Sequence, residues 1–526
     1  MRKQLFALAL MGTLATALPA QQEWGKWETW GEQADGTFRN PVIPSDYSDL
    51  DCIKVGEDYY AISSTMQYSP GMTVLHSTDL VNWEIVSNAV ADLTQIGPAL
   101  NWDRMERYGR GVWAGTIRHH KGRFYVFFGA PDEGYFMTSA TKAEGPWEPL
   151  TPLLLEKGWD DCTAIWDERG RGYFLGTCFK DNYKTYIFPM ADDCKSIDFD
   201  KRRLLNEGNH REASKLIKHG KYYYLVFSEH KGRLGRYVMA KRDKKLTGDF
   251  KEERQLLLPC REANEPNQGG IIEGPDGKWY FFTHHGTGDW GGRIASLLPV
   301  EWTSDGWPMM GDRTQGEPGT MVWSMPMPKV EQKKLTIGRS DDFDDLTLAP
   351  WWQWNHQPRE GYWSLTERPG WMRLRAYRPI EANKLLKAGN TLTQRVFRTK
   401  ESKVVVKMDL QGMSHGQRAG VAHFARESSA LGVVCEGDSM FMEFRHNDQC
   451  QRGALIAGRY VWVKSEWSLD GKSHYSYSTD GDNYTPFGTY QLSWGYYRGD
   501  RIGIYCFNDL ADTGYVDVDY LHYEMK

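Results

Sequence analysis

The chain has 526 residues, about three to four times a common single domain, so more than one domain is expected. Its 40% hydrophobic, 25% charged and 13% aromatic residues exclude disorder, collagen and coiled coil. Net charge is −5, from 64 basic against 69 acidic residues, and no long basic run occurs, so nothing electrostatic favours a nucleic acid or an anionic membrane as partner.

In chain order, Arg2 and Lys3 precede the apolar run Leu5 to Met11 and the small residues that end at Ala17 and Ala20. This pattern predicts a secretory signal over residues 1–20. No Cys stands at the cut, so no lipid anchor is expected, and no later stretch reaches 18 apolar residues. The mature chain is expected to be exported and soluble, in the periplasm or secreted. Eight cysteines are scattered from Cys52 to Cys506 without a CxxC pair, so neither a zinc knuckle nor a thioredoxin-type motif is expected. They read mostly as buried small hydrophobes.

From residue 40 to 310 one pattern recurs: a Gly followed by an aromatic, strand-like run. The copies begin at Gly56, Gly122, Gly170, Gly220 and Gly277, at intervals of 66, 48, 50 and 57. Aromatic and β-branched runs bounded by Gly read as strands, each the second arm of a hairpin. Repeats of this length with several strands each predict propeller blades, five of them here, with a large irregular sandwich as the alternative. From Met321 the texture changes. The Pro- and charge-rich stretch 325–339 reads as a linker, and alternating runs such as Val404–Leu410 and Tyr515–Leu521 predict a second all-β unit, a two-sheet jelly-roll sandwich. The expected organisation is a signal over 1–20, an N-terminal segment over 21–37, a five-bladed β-propeller over 38–324, the linker, and a β-sandwich over 340–526.

In a propeller the innermost strand of each blade starts at the mouth of the central channel. Counting back seven to nine residues from each repeated Gly gives Asp49, Trp113, Asp161, Glu212 and Gln268. A single surface acid commonly caps a strand, but three in one register are expected to face each other across a cavity. Converging carboxylates raise one another's pKa, as a general acid requires, or serve calcium. Trp113 adds an apolar face for a sugar ring. One protonated and one ionised carboxyl group across a sugar are the machinery of glycoside hydrolysis. No GxSxG, HExxH or GxxxxGK[ST] motif competes.

The stretch from Phe38 to Asp49, the Trp159-Asp160-Asp161-Cys162 segment, the Glu212 to Lys218 segment and the Gln268 and Arg293 regions resemble glycoside hydrolase family 43. The resemblance continues through Trp352–Pro358, Trp363–Pro369, Asn390–Arg395 and Arg418–Val421, which are similar to the concanavalin-like domain of its xylosidase and arabinofuranosidase branch. It implies Asp49 as general base, Glu212 as general acid and Asp161 as the group that orients and tunes the acid, with Asp160 the alternative register. The family often has Gly-Pro after this Glu, where this chain has Ala213-Ser214. Trp113, Gln268 and Arg293 are the expected substrate contacts, Arg293 with a structural ion pair as its alternative role. Of the adjacent His284 and His285, only one can face the axis.

The implied activity is inverting, exo-acting release of α-L-arabinofuranosyl residues from hemicellulose side chains of plant cell walls, xyloglucan or arabinoxylan. A β-D-xylosidase is the alternative, and a non-catalytic carbohydrate-binding propeller a second. No cofactor is expected for the chemistry. A structural calcium is left open, with Asp341, Asp342, Asp517 and Asp519 as further candidates alongside ordinary turn roles.

Overall fold

The structure, a computed structural model, describes residues 29–232, 235–260, 266, 268–286, 289–329 and 335–526. The expected signal and the first part of the N-terminal segment lie outside the described residues. No α-helix occurs among the described residues, and no helix there is long and apolar enough to cross a membrane.

The repeats fold into five antiparallel sheets, four of four strands and the fifth of five. Their first strands are Asp51–Val55, Gly115–His120, Trp159–Trp166, Glu212–His219 and Gly269–Glu273. Each repeated Gly sits in the turn after its first strand, with φ of +66°, +77°, +76°, +53° and +75°, and open space where a Cβ would stand. Backbone conformation, rather than crowding, therefore calls for Gly at these five turns. The first strand of each sheet packs beside the first strand of the next, and that of the fifth sheet packs beside that of the first. Ile43–Asp46, from near the start of the described chain, pairs with Arg293–Trp302 of the fifth sheet. Apolar clusters fill the spaces between sheets. Ile62, Val74, Ile117, Val126 and Phe128 form one between the first two sheets. Phe127, Tyr135, Trp159, Phe174 and Phe188 form the next.

The second part consists of an eight-stranded and a seven-stranded sheet. The strand Ser402–Asp409 shows why: Val404, Val406 and Met408 are fully buried, while Lys403, Val405 and Lys407 between them are half-exposed, the alternation of a strand with one face on a core. Within the stretch expected as linker, Ser324–Pro326 forms a strand on Thr37–Arg39, and residues 330–334 lie outside the described residues.

The two parts are joined by more than chain continuity. Tyr68–Ser69, from the loop between the second and third strands of the first sheet, pairs with Gln353–Asn355 and so becomes the edge of the eight-stranded sheet. Arg395 Nε donates to the Asp46 carbonyl at 2.7 Å, and the Arg498 and Arg501 guanidinium groups stack on the Tyr68 ring. One apolar cluster runs through the seam, from Phe38 and Trp83 to Trp352, Phe397 and Tyr523. Backbone pairing and apolar burial together hold the second part against the mouth of the first.

The expected small-hydrophobe role fits the cysteines: all eight are free, and all but Cys450 are buried.

Candidate active site

A cavity of about 370 Å³ opens where the five first strands begin. Asp49, Trp113, Asp161, Glu212, Gln268 and Arg293, the six residues expected from the sequence, all line it. Asp49 and Gln268 stand just before the first strands of the first and fifth sheets, and Trp113 just before that of the second. Glu212 opens the first strand of the fourth, and Asp161 lies in that of the third.

The strand starts are irregular, and the irregularity aims the acids. The pairing of Trp159–Trp166 slips between Asp160 and Thr163, and that of Glu212–His219 between Glu212 and Lys215. An extra residue in one strand bends it and re-aims its side chains. Six of the 15 lining residues have left-handed backbone without being Gly: Asp49, Met66, Asp161, Tyr183, Ala213 and Tyr497, with φ between 48° and 70°. Each such residue costs about 1–3 kcal/mol, so the backbone strain is concentrated where the carboxylates converge. Ala213 (φ 62°) stands where the resemblance has Gly, in a conformation that Gly adopts freely.

Arg293 Nη1 lies 2.8 Å from Asp49 Oδ1, and the Asp49 backbone N–H donates to His284 Nδ1 at 2.8 Å. His284 lines the cavity, while His285 turns away to bond Ser296 Oγ, as strand alternation requires. Asp161 accepts from the Ala213 backbone N–H at 2.8 Å and from Gln268 Nε2 at 3.3 Å. Burial raises the Asp161 carboxyl above the ordinary carboxylate range, and Asp49 adds to the rise. The Ala213 N–H, Lys215 and Arg236 oppose it. Arg236 forms an ion pair with Glu212 Oε1. Below this layer, burial would raise the Asp51 carboxyl, but Arg118 and Lys215 hold it below the usual range. The Arg118 Nη1 to Asp51 Oδ2 distance is 2.6 Å.

Trp113 is half-buried, with its Nε1 bonded to the Gly109 carbonyl at 2.9 Å, the Arg110 guanidinium over its ring at 5.4 Å, and Tyr497 edge-on at 5.7 Å. Tyr497 comes from the second part of the chain and also lies under the Arg293 guanidinium, 5.7 Å from it. Residues of the repeats and of the sandwich sheets therefore build one wall together.

Arg110, Phe179, Tyr183, Arg236 and Tyr497 line the cavity without having been singled out in the sequence. Counting back from the repeated Gly finds only strand starts, whereas Arg236 opens the third strand of the fourth sheet and Arg110, Phe179, Tyr183 and Tyr497 lie in the loops and turns between strands. Among the described residues no group of three or more His, Cys, Asp or Glu is arranged to hold a metal ion. The candidates in the second part have other partners: Asp341 accepts from the Phe343 N–H and Trp352 Nε1, Asp342 pairs with His522, Asp517 with Arg368 and Arg373, and Asp519 with Lys407.

A model of the Glycosyl hydrolases family 43 matches residues 38–308, and one of the Beta xylosidase C-terminal Concanavalin A-like domain matches residues 340–524. A Beta-xylosidase of Formosa agariphila is 30% identical over 553 residues, covering 94% of this chain and 92% of its own length. A non-reducing end alpha-L-arabinofuranosidase of Bacteroides ovatus is 27% identical over 369 residues, 67% of each chain. Among solved structures, a bifunctional GH43-CE protein of Bacteroides eggerthii has a TM-score of 0.82 at 29% identity, over 93% of this chain and 64% of that one. The chain thus spans a little under two thirds of that bifunctional protein. It belongs to glycosyl hydrolase family 43, with a concanavalin A-like domain after the catalytic one.

Proposed function

We propose that the cavity removes single pentosyl residues from the non-reducing ends of plant cell-wall oligosaccharides, with inversion, and that the pentose is β-D-xylose. The observation that carries this reading is the convergence of Asp49, Asp161 and Glu212, from three different sheets, in one cavity walled by Trp113 and Tyr497. The sheets are read as the blades of a five-bladed propeller over residues 38–324, with the sandwich over 340–526 covering one side of its mouth.

In this mechanism Asp49 is the base. Arg293 and the His284 contact hold it, and its carboxylate draws a proton from a water on one face of the sugar. Glu212 delivers a proton to the departing oxygen on the other face. Asp161, anchored by the Ala213 N–H and Gln268, keeps the Glu212 strand in place and adds a carboxylate that favours a protonated neighbour. Inversion leaves room for the water, so about 6.5–9.5 Å should separate the Asp49 and Glu212 carboxyl groups. Arg236 works the other way, because an adjacent guanidinium favours the ionised carboxylate. Substrate must displace or share it before Glu212 can act as an acid. No step calls for a metal or cofactor.

The sequence alone favoured arabinofuranose. The beta-xylosidase name of the relative aligned over most of both chains supports xylose instead, and the Bacteroides ovatus relative keeps arabinofuranose as the second reading. The two sugars present similar hydroxyls, and one side chain can decide between them. The test compares kcat/KM on 4-nitrophenyl β-D-xylopyranoside and α-L-arabinofuranoside. A preference of about tenfold or more for the xyloside is expected. A preference for the arabinofuranoside overturns the sugar and leaves the carboxylate roles standing. No turnover of either, with xylose still bound, favours a carbohydrate-binding protein.

A further inference from the structure

Asp160 has no part in the mechanism above, yet it lines the same cavity. In a regular strand, neighbouring side chains point to opposite faces, so Asp160 and Asp161 should not share a pocket. The slipped pairing after Asp160 and the left-handed backbone of Asp161 (φ 48°) remove that alternation and bring both into the lining. Asp160 is 4% exposed, and its Oδ1 has no hydrogen-bond partner among the described residues. Room has been left for the group. A Cβ on Gly129 would lie 2.6 Å from Asp160 Oδ1 and 3.0 Å from its Cα, so only Gly fits opposite it. Tyr135 Oη fixes the backbone behind it by donating to the Asp160 carbonyl at 2.6 Å. With Oδ1 closed off against Gly129, a charge on this carboxyl is costly, and the place of the residue in the cavity lining points to a ligand as the partner of the rest of the group.

We propose that Asp160 is a substrate-binding residue: its carboxyl, in neutral form, donates a hydrogen bond to a hydroxyl of the sugar held among Asp49, Asp161 and Glu212. This rests on the reading of the cavity as a glycosidase site. The neutral form follows from its surroundings. Burial pushes the Asp160 carboxyl well above the ordinary range, and the Asp161 and Asp49 carboxylates push it the same way. Among pentose hydroxyls a neutral acid is a donor that Asn can replace and Ala cannot.

The test is a cycle on whichever of the two aryl pentosides the wild type turns over faster, with its 2-, 3- and, for the xyloside, 4-deoxy analogues. Asp160→Ala should lower kcat/KM about 10- to 100-fold on the parent glycoside, and Asp160→Asn should recover most of that loss. One deoxy analogue should be poor for the wild type and no poorer than its parent for Asp160→Ala, because the lost contact is the same. A residue that only supports the fold would lower kcat/KM on parent and analogues by one common factor, and that result overturns the inference. So does an Asp160→Asn variant as impaired as Asp160→Ala, or an Asp160→Ala variant within twofold of wild type. Asp49→Asn in the same assay keeps the two readings apart. If it is inactive while Asp160→Ala behaves as wild type, the glycosidase reading stands and this inference falls. If Asp49→Asn is fully active, both fall.

Discussion

Buried acids are treated in opposite ways in the two parts of the molecule. In the sandwich sheets Asp409, Asp517 and Glu443 are almost wholly buried, and five arginines surround them. Asp409 accepts from Arg368 and Arg459 at 2.6 Å each, Asp517 from Arg373 at 2.7 Å and Arg368 at 3.0 Å, and Glu443 from Arg418 at 2.9 Å and Arg445 at 3.0 Å. Burial alone would raise the Asp409 carboxyl, yet Arg459 and Arg368 hold it below the usual range. At the mouth of the repeats, four carboxyl groups share one cavity with two arginine pairs, Arg293 on Asp49 and Arg236 on Glu212. There the buried Asp160 and Asp161 rise instead of falling. Matched charge serves cohesion. A deficit of cations leaves proton-binding groups that can exchange with a substrate, at a cost in stability that the rest of the fold carries.

That contrast can be broken in each region. The largest stability effect belongs to the matched side. Asp517→Asn takes one buried carboxylate from Arg368, which keeps Asp409, and from Arg373, which keeps Glu367, and should destabilise the protein by about 2 kcal/mol in denaturant unfolding, with kcat little changed. A loss of kcat at unchanged stability would show the sandwich acids to be functional after all. Next comes the cation on the acid. Replacing Arg236 by Met removes the charge that favours ionised Glu212, so the alkaline limb of the kcat profile should move to higher pH. An unmoved limb would mean that Arg236 does not face the acid in the complex. The smallest effect tests the strain at the mouth. Ala213→Gly relieves a left-handed backbone and should raise stability by about 0.5–1 kcal/mol, less than the αL penalty alone because Gly gives back entropy. A destabilised variant would show that the Ala213 methyl packing outweighs its backbone cost.

Much of this was legible before any coordinates. The repeated Gly marks a local event, a tight turn of positive φ, and a strand start lies a nearly fixed distance before it. Asp49, Trp113, Asp161, Glu212 and Gln268 could therefore be placed in one ring by counting, and the cavity contains all five. Arg236 and Tyr497 could not, because they reach the cavity from the third strand of a sheet and from the sandwich, and nothing beside them in the sequence carries that information. Asp160 was visible only as a rival register for Asp161. Strand alternation allows one of two neighbours to face inward, and the slip that admits both occurs at an Asp rather than at a Gly that would announce it. The sugar was the least legible element, since its identity turns on single contacts rather than on any pattern.

The most direct test of the account is kcat/KM of Asp49→Asn beside wild type on the better of the two aryl pentosides. A fall of about 10³-fold or more is expected, the scale seen when a positioned base is removed. A variant within tenfold of wild type would contradict it, because the carboxylate that Arg293 holds at the mouth would then have no part in the reaction.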